Sequence, residues 1–229
     1  MLKAIILDFN GVILDDEPLH FAAMRETVAR LGMDLTRDEY WDKYLPLDDR
    51  ECLDAICRDH SVSLTDQQRA HALALKSQLY SRRLREGFPL FPGTAEFIKA
   101  AAVRYPLAIC SGARRYEIES TLESTALRRY FVFILAAEDF VRGKPHPESF
   151  LLALERLNRF SGKAPVQAGE CLVVEDSVKG VHGAKAAGMV CVAVANSYPL
   201  EALQAADMVV ASLNEVRWDS LNALFEDPV

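Results

Sequence analysis

Four short segments hold residues that could do chemistry together: Asp8-Phe9-Asn10-Gly11, Cys110-Ser111-Gly112, Gly143-Lys144-Pro145-His146-Pro147 and Glu175-Asp176-Ser177. Asp8, Glu175 and Asp176 offer hard carboxylate oxygens, the donor type that a hard dication takes. Ser111 and Lys144 offer a hydroxyl and an ammonium, which suit an oxyanion. Each segment by itself is weak, because a carboxylate ending a strand is often only a loop cap. Together they describe a cation held next to an anion, provided the fold brings them to one place.

Hydrophobic patterning says which elements must do so. Lys3–Asp8, Pro106–Ser111, Val132–Ala136, Cys171–Glu175, Val190–Ala195 and the shorter Met208–Ala211 are apolar almost without interruption. Such runs are expected of parallel strands covered on both faces. Amphipathic segments separate them, as in Pro147–Phe160, where Phe150, Leu151, Leu154 and Leu157 recur at helical spacing. Alternating strands and helices predict an α/β fold, a doubly wound parallel sheet with right-handed crossovers. Ligands bind such sheets outside the carboxyl ends of the strands, where the four segments fall.

The alternation fails from about Glu17 to Gly87, where only helical periodicity is present, clearest in Pro18–Leu31, Asp49–His60 and Thr65–Arg85. This predicts an inserted α-helical domain over residues 16–87 in a core formed by 1–15 and 88–229, with Gly32 and Gly87 as helix ends.

Composition bounds the rest. Of 229 residues, 26 are Lys or Arg and 33 Asp or Glu, a net charge of −7, and half are hydrophobic. That excludes a disordered or fibrous chain and argues against nucleic acid or an anionic membrane as main partner. The five cysteines, Cys52, Cys57, Cys110, Cys171 and Cys191, are odd in number and sit mostly in apolar runs, as reduced buried thiols do. The opening MLKAIILDF lacks the features of a signal peptide, and no apolar run approaches the ~20 residues that span a bilayer. A soluble, cytoplasmic monomer is the expectation.

The four segments, in this order and spacing, resemble the haloacid dehalogenase superfamily, in the helical-cap subgroup that includes β-phosphoglucomutase and many small-metabolite phosphatases. The resemblance rests on DFNGV at Asp8–Val12, CSG at Cys110–Gly112, GKPHP at Gly143–Pro147 and VVEDSVKGV at Val173–Val181, and covers nearly the whole chain. It implies a phosphohydrolase of small phosphorylated metabolites in which Asp8 is the nucleophile and becomes an aspartyl phosphate. It further implies Mg2+ held by Asp8, the backbone carbonyl of Asn10 and Asp176, with Glu175 supporting the metal's water shell. Ser111 and the Gly112 N–H would bind the phosphoryl oxygens, and Lys144 would neutralise developing charge. In the cap, His20, Arg50 and Lys76 fall where substrate-contacting or cap-positioning residues are placed. Arg82-Arg83-Leu84-Arg85 is expected to be a solvated helix end rather than an anion site.

One position departs from the family pattern. Asn10 stands where the family commonly has an Asp that protonates the leaving group and then activates water. An amide does not titrate, so it does neither. The loss of one general acid/base lowers rates by about 10²–10⁴. Asp15, Asp16, Glu17 and His20 are nearby substitutes, or else a plain surface cluster. Asn10 also weakens a mutase reading, which needs a proton shuttle. A lysine Schiff base for phosphonate cleavage is singled out by nothing around Lys76. Dehalogenation does not require the Glu175-Asp176 cation pair. A phosphometabolite-binding protein without turnover is the alternative from a different class.

Overall fold

A computed structural model of the chain describes residues 1–45, 47–87, 89–161 and 165–226. It forms two compact units, Met1–Asp15 with Pro89–Val229, and Asp16–Phe88. In chain order the helices are α1 (Glu17–Ala29), α2 (Arg37–Glu39), α3 (Asp49–Asp59), α4 (Asp66–Glu86), α5 (Thr94–Ala102), α6 (Arg115–Ser124), α7 (Glu148–Ser161), α8 (Val178–Ala186) and α9 (Trp218–Ala223).

The first unit is built on six strands, β1 (Ala4–Leu7), β2 (Leu107–Cys110), β3 (Phe131–Leu135), β4 (Cys171–Glu175), β5 (Val190–Val194) and β6 (Met208–Val210). They pair in the order β3-β2-β1-β4-β5-β6, and every pairing is parallel. The chain therefore winds one way from β1 through β2 to β3, then resumes on the other side of β1 at β4. The carboxyl ends of β1 and β4 flank this switch point, where doubly wound sheets open a ligand crevice.

β1, β2 and β4 are buried along their whole length, as their continuous apolar runs require. Val132 on the edge strand β3 is exposed. The core beneath one face combines Phe133, Phe150, Leu157, Val173 and Cys191. Several strands are shorter than their apolar runs, and the residues lost are informative. Asp8 and Ser111 lie one position beyond their ladders, yet their N–H groups still donate to Val174 O (2.9 Å) and Leu135 O (3.0 Å). The last ladder bond thus anchors the very residue at which the backbone turns away.

In the second unit, α1 and α4 pack against each other around Met24, Val28, Leu53 and Ile56. Capping boxes open three of its helices: Thr36 with Glu39 for α2, Asp48 with Glu51 for α3, and Thr65 with Gln68 for α4. All five cysteines are free and buried, and burial raises each thiol pKa. Among the described residues no helix is long and apolar enough to cross a membrane.

Candidate active site

Asp8, at the end of β1, and Glu175 and Asp176, at the end of β4, bring one ligand oxygen each within 4.8 Å of one another. All three residues are buried, and Glu175 is wholly so. Lys144 reaches the cluster from the loop after β3. Its Nζ donates a short hydrogen bond to Glu175 Oε1 and lies 3.0 Å from Asp8 Oδ1. That second approach is an ion pair outside hydrogen-bond geometry, so Asp8 Oδ1 is buried with no hydrogen-bond donor among the described residues.

The surroundings divide the carboxylates by task. Glu175 Oε2 accepts from the Asp176 and Ser177 N–H groups (3.1 and 3.2 Å) and from Ser177 Oγ (3.0 Å), which ties it to the start of α8. Asp176 Oδ2 accepts a short hydrogen bond from Ser197 Oγ. Gly11 has φ +75°, and a Cβ there would stand 1.8 Å from Asp176 Oδ2, so only glycine lets the backbone come this close. The Gly11 carbonyl is held by Asn196 Nδ2 at 2.7 Å.

Electrostatics agree with this division. Burial raises the Glu175 pKa, and Asp8 raises it further against the pull of Lys144. Burial, Glu175 and Asp8 push the Asp176 pKa well above its ordinary value. Burial by itself would lower the Lys144 pKa, but Asp8 and Glu175 hold it above the ordinary lysine value. Three carboxylates against one ammonium leave a buried excess of negative charge that a hard dication fits, and Asp8 Oδ1 is an oxygen without a donor to satisfy it.

Ser111, at the end of β2, is buried, and its Oγ accepts from the Ala113 N–H at 3.2 Å. Its own N–H is committed to Leu135 O, so what it can offer an anion is its hydroxyl, beside the exposed Gly112. Asn10 forms an isolated bridge with Leu14 in the turn that follows Asp8.

A family model described as haloacid dehalogenase-like hydrolase matches residues 2–188. The chain belongs to this hydrolase family. Among similar members, a phosphorylated carbohydrates phosphatase of Thermotoga maritima is 31% identical over 191 residues, covering 82% of both chains. A fructose-1-phosphate phosphatase of Escherichia coli is 30% identical over 194 residues, 81% of this chain and 92% of that one. The solved β-phosphoglucomutase of Clostridium difficile superposes with a TM-score of 0.76 at 24% identity, covering 98% of this chain and 97% of its own, which shows a shared fold.

The haloacid dehalogenase-like sheet unit brings Asp8, Lys144, Glu175 and Asp176 together, and Asn196 and Ser197 join them unforeseen. Both follow β5, the one well-formed strand whose carboxyl end the sequence reading passed over. The rule that polar residues at strand ends make the site would have found them.

His20, Arg50 and Lys76 lie in the helical unit and have different surroundings. A cleft of about 600 Å³ within that unit is lined by Glu17, His20, Tyr40, Asp49 and Arg50, among others. Lys76 is buried, and its Nζ is committed to Asp49 Oδ1 and His20 Nδ1, both at 2.5 Å. His20 Nε2 is 3.2 Å from Asp16 Oδ2, which also accepts from Tyr80 OH at 2.7 Å. Asp16 is therefore a buried, engaged carboxylate rather than part of a surface cluster. Glu17 accepts from Tyr40 OH at 2.6 Å, and burial raises its pKa.

Burial tends to lower the His20 pKa, but hydrogen bonds to Asp16 and Asp49 push it up to about 9. Burial tends to raise Asp49, yet His20 and Lys76 hold it down to about 2. Of the arginine run, Arg83 pairs with Glu26 at 2.7 Å and Arg82 approaches it at 3.7 Å. The Arg85 side chain lies outside the described residues.

Proposed function

We propose that this chain is a Mg2+-dependent phosphohydrolase of small phosphorylated metabolites that works through an aspartyl phosphate on Asp8 and turns over slowly because of Asn10. The observation that carries this is the cluster of Asp8, Glu175 and Asp176 beside Lys144 at the switch point of the sheet. Similarity to phosphatases of phosphorylated carbohydrates supports the reaction class.

Asp8 and Asp176 would hold the cation with the Asn10 carbonyl, and Glu175 would keep Lys144 and the start of α8 in place behind them. The bound Mg2+ would supply charge stabilisation for the phosphoryl oxygens. Lys144 would neutralise charge on the transferring group, and its ammonium lies 3.0 Å from Asp8 Oδ1. Asp8 then attacks phosphorus through the other carboxylate oxygen as the bond from phosphorus to the leaving oxygen breaks and its electron pair stays on that oxygen, while the Ser111 hydroxyl and Gly112 N–H orient the phosphoryl group. Water then attacks phosphorus, the bond from Asp8 to phosphorus breaks with its electron pair returning to the carboxylate, and the water's proton passes to solvent, since the Asn10 amide takes none.

The test is Mg2+-dependent hydrolysis of p-nitrophenyl phosphate by the parent and by Asn10→Asp. Turnover in both, lost in Asp8→Ala, is the expected result. Asn10 favours one second reading, a protein that binds a phosphometabolite without turning it over. Tight phosphate binding with no hydrolysis by either form would establish that reading instead.

A further inference from the structure

We propose that Asn196 and Ser197, in the loop after β5, are positioning residues that together set the spacing of the two cation-holding turns and so favour a small dication over a large one. The proposal rests on the reading of Asp8, Asp176 and the Asn10 carbonyl as cation ligands and adds what fixes them. Those ligands stand on two separate turns, one after β1 and one after β4. Two consecutive side chains at the end of a third strand reach one turn each. Asn196 Nδ2 donates to the Gly11 carbonyl at 2.7 Å, and Ser197 Oγ donates a short hydrogen bond to Asp176 Oδ2.

Each grip reaches a ligand through a stiff connection. The turn after β1 is closed by Ile13 N–H donating to the Phe9 carbonyl at 2.7 Å and by Gly11 N–H donating to the Leu14 carbonyl at 3.0 Å. The Gly11 carbonyl therefore shifts only together with the neighbouring Asn10 peptide. Gly11 also abuts the other turn, since a Cβ there would stand 1.8 Å from Asp176 Oδ2. The loop that holds both turns is itself anchored on either side. Ala195 N–H donates to Val210 O at 2.9 Å, and Asn196 N–H turns back to Val194 O at 2.9 Å. Ala195 and Tyr198 pack against the core of the sheet. Asn196 and Ser197 thus form a fixed bracket across the ends of β1 and β4.

What the bracket does follows from ionic size. Mg2+ takes oxygen ligands at about 2.0–2.1 Å in near-ideal octahedral geometry, whereas Ca2+ takes them at about 2.3–2.6 Å and tolerates irregular arrangements. Oxygens held at one spacing reward the ion with the stricter geometry, and oxygens free to relax reward the adaptable one. Releasing either turn should therefore weaken Mg2+ more than Ca2+.

The experiment measures Mg2+ and Ca2+ affinity separately by titration calorimetry on the full chain, with the thermal midpoint in chelator as a check on folding. The loop variants are Asn196→Ala, Ser197→Ala and Ser197→Thr. Lys185→Ala is the structural control, because Lys185 Nζ pairs with Asp207 at 2.6 Å near the start of β5, away from the loop. Asn196→Ala and Ser197→Ala should each lower Mg2+ affinity about 10–100-fold and Ca2+ affinity by less, so that the ratio of the two falls. Ser197→Thr keeps the hydroxyl and should keep the parent's ratio. Lys185→Ala should lower the thermal midpoint and leave the ratio alone. Alanine variants that weaken both ions equally or neither, a Ser197→Thr ratio like that of Ser197→Ala, or a Lys185→Ala ratio that falls as far would each overturn the proposal. The phosphohydrolase reading would stand in all three cases. A parent that binds neither ion would overturn both.

Discussion

Gly180→Ala reverses the usual sign of a glycine-to-alanine change in a helix. Gly180 lies in the first turn of α8, where its N–H donates to Ser177 Oγ at 3.0 Å. In most helices this change stabilises by about 1 kcal/mol. Here the added Cβ would stand 1.9 Å from Glu175 Cδ and 2.0 and 2.1 Å from its two carboxylate oxygens. Glu175 is fully buried, so its carboxylate can yield only by leaving Lys144, Ser177 and the N–H groups that start α8. Breaking a buried ion pair costs about 3–5 kcal/mol. Set against the helix gain of about 1 kcal/mol, the net is a loss of about 2–4 kcal/mol. Gly183→Ala is the paired control, since its Cβ would meet Phe150 Cε2 at 3.2 Å, a contact that a small ring shift relieves. Urea unfolding followed by far-ultraviolet circular dichroism reads both. A Gly180→Ala midpoint at or above that of the parent would refute the reasoning.

Asp8→Ala should abolish phosphoryl transfer and weaken Mg2+, whereas Asp176→Asn should mainly weaken Mg2+; an unchanged Mg2+ requirement in Asp176→Asn, measured by titration calorimetry and activity, counts against the ligand assignment. Ser197→Ala removes the hydroxyl that holds Asp176 Oδ2 and should lower Mg2+ affinity about 10–100-fold, as loss of a group orienting a metal ligand does. The helical unit should lose stability at both pH extremes. Asp49 is depressed from 3.8 to about 2, so its contribution is full above pH 3.8 and lost as pH falls toward 2. His20 is raised from 6.5 to about 9, so its contribution is full below pH 6.5 and lost as pH rises to 9. His20→Gln should flatten the alkaline limb and Asp49→Asn the acid limb of thermal midpoint against pH; a parent curve already flat from pH 6.5 to 9 would sink the His20 assignment.

Much of the sheet was legible from hydrophobic patterning alone, because a strand buried on both faces has to be apolar throughout. Cys171–Glu175 matches its run to the residue, and Val190–Ala195 overshoots β5 by one. The overshoot at Asp8 and Ser111 has a physical cause. Hydrophobic pattern marks what is buried, and both residues are buried, but pattern does not mark where pairing stops and the backbone turns. The helices α3 and α4 match the helical periodicity of Asp49–His60 and Thr65–Arg85 to within a residue, and the side chains of Asp48 and Thr65 cap them from the adjacent position in sequence.

What the sequence determined by itself was the set of reacting groups: three carboxylates, a lysine, a serine and an amide at position 10. Strand ends advertise such groups whenever the strand is apolar and its end is not. Tertiary structure alone decided which of them meet and what state they hold. Parallel pairing of β1 with β4 sets Asp8 against Glu175 and Asp176, residues that lie more than 160 positions apart in the chain. It also decided that Ser197 and Asn196, unremarkable in the sequence, hold Asp176 and Gly11, and that Lys76 is spent on Asp49 and His20. Burial and neighbouring charge fix those states, and both depend on distances through space that local sequence does not encode.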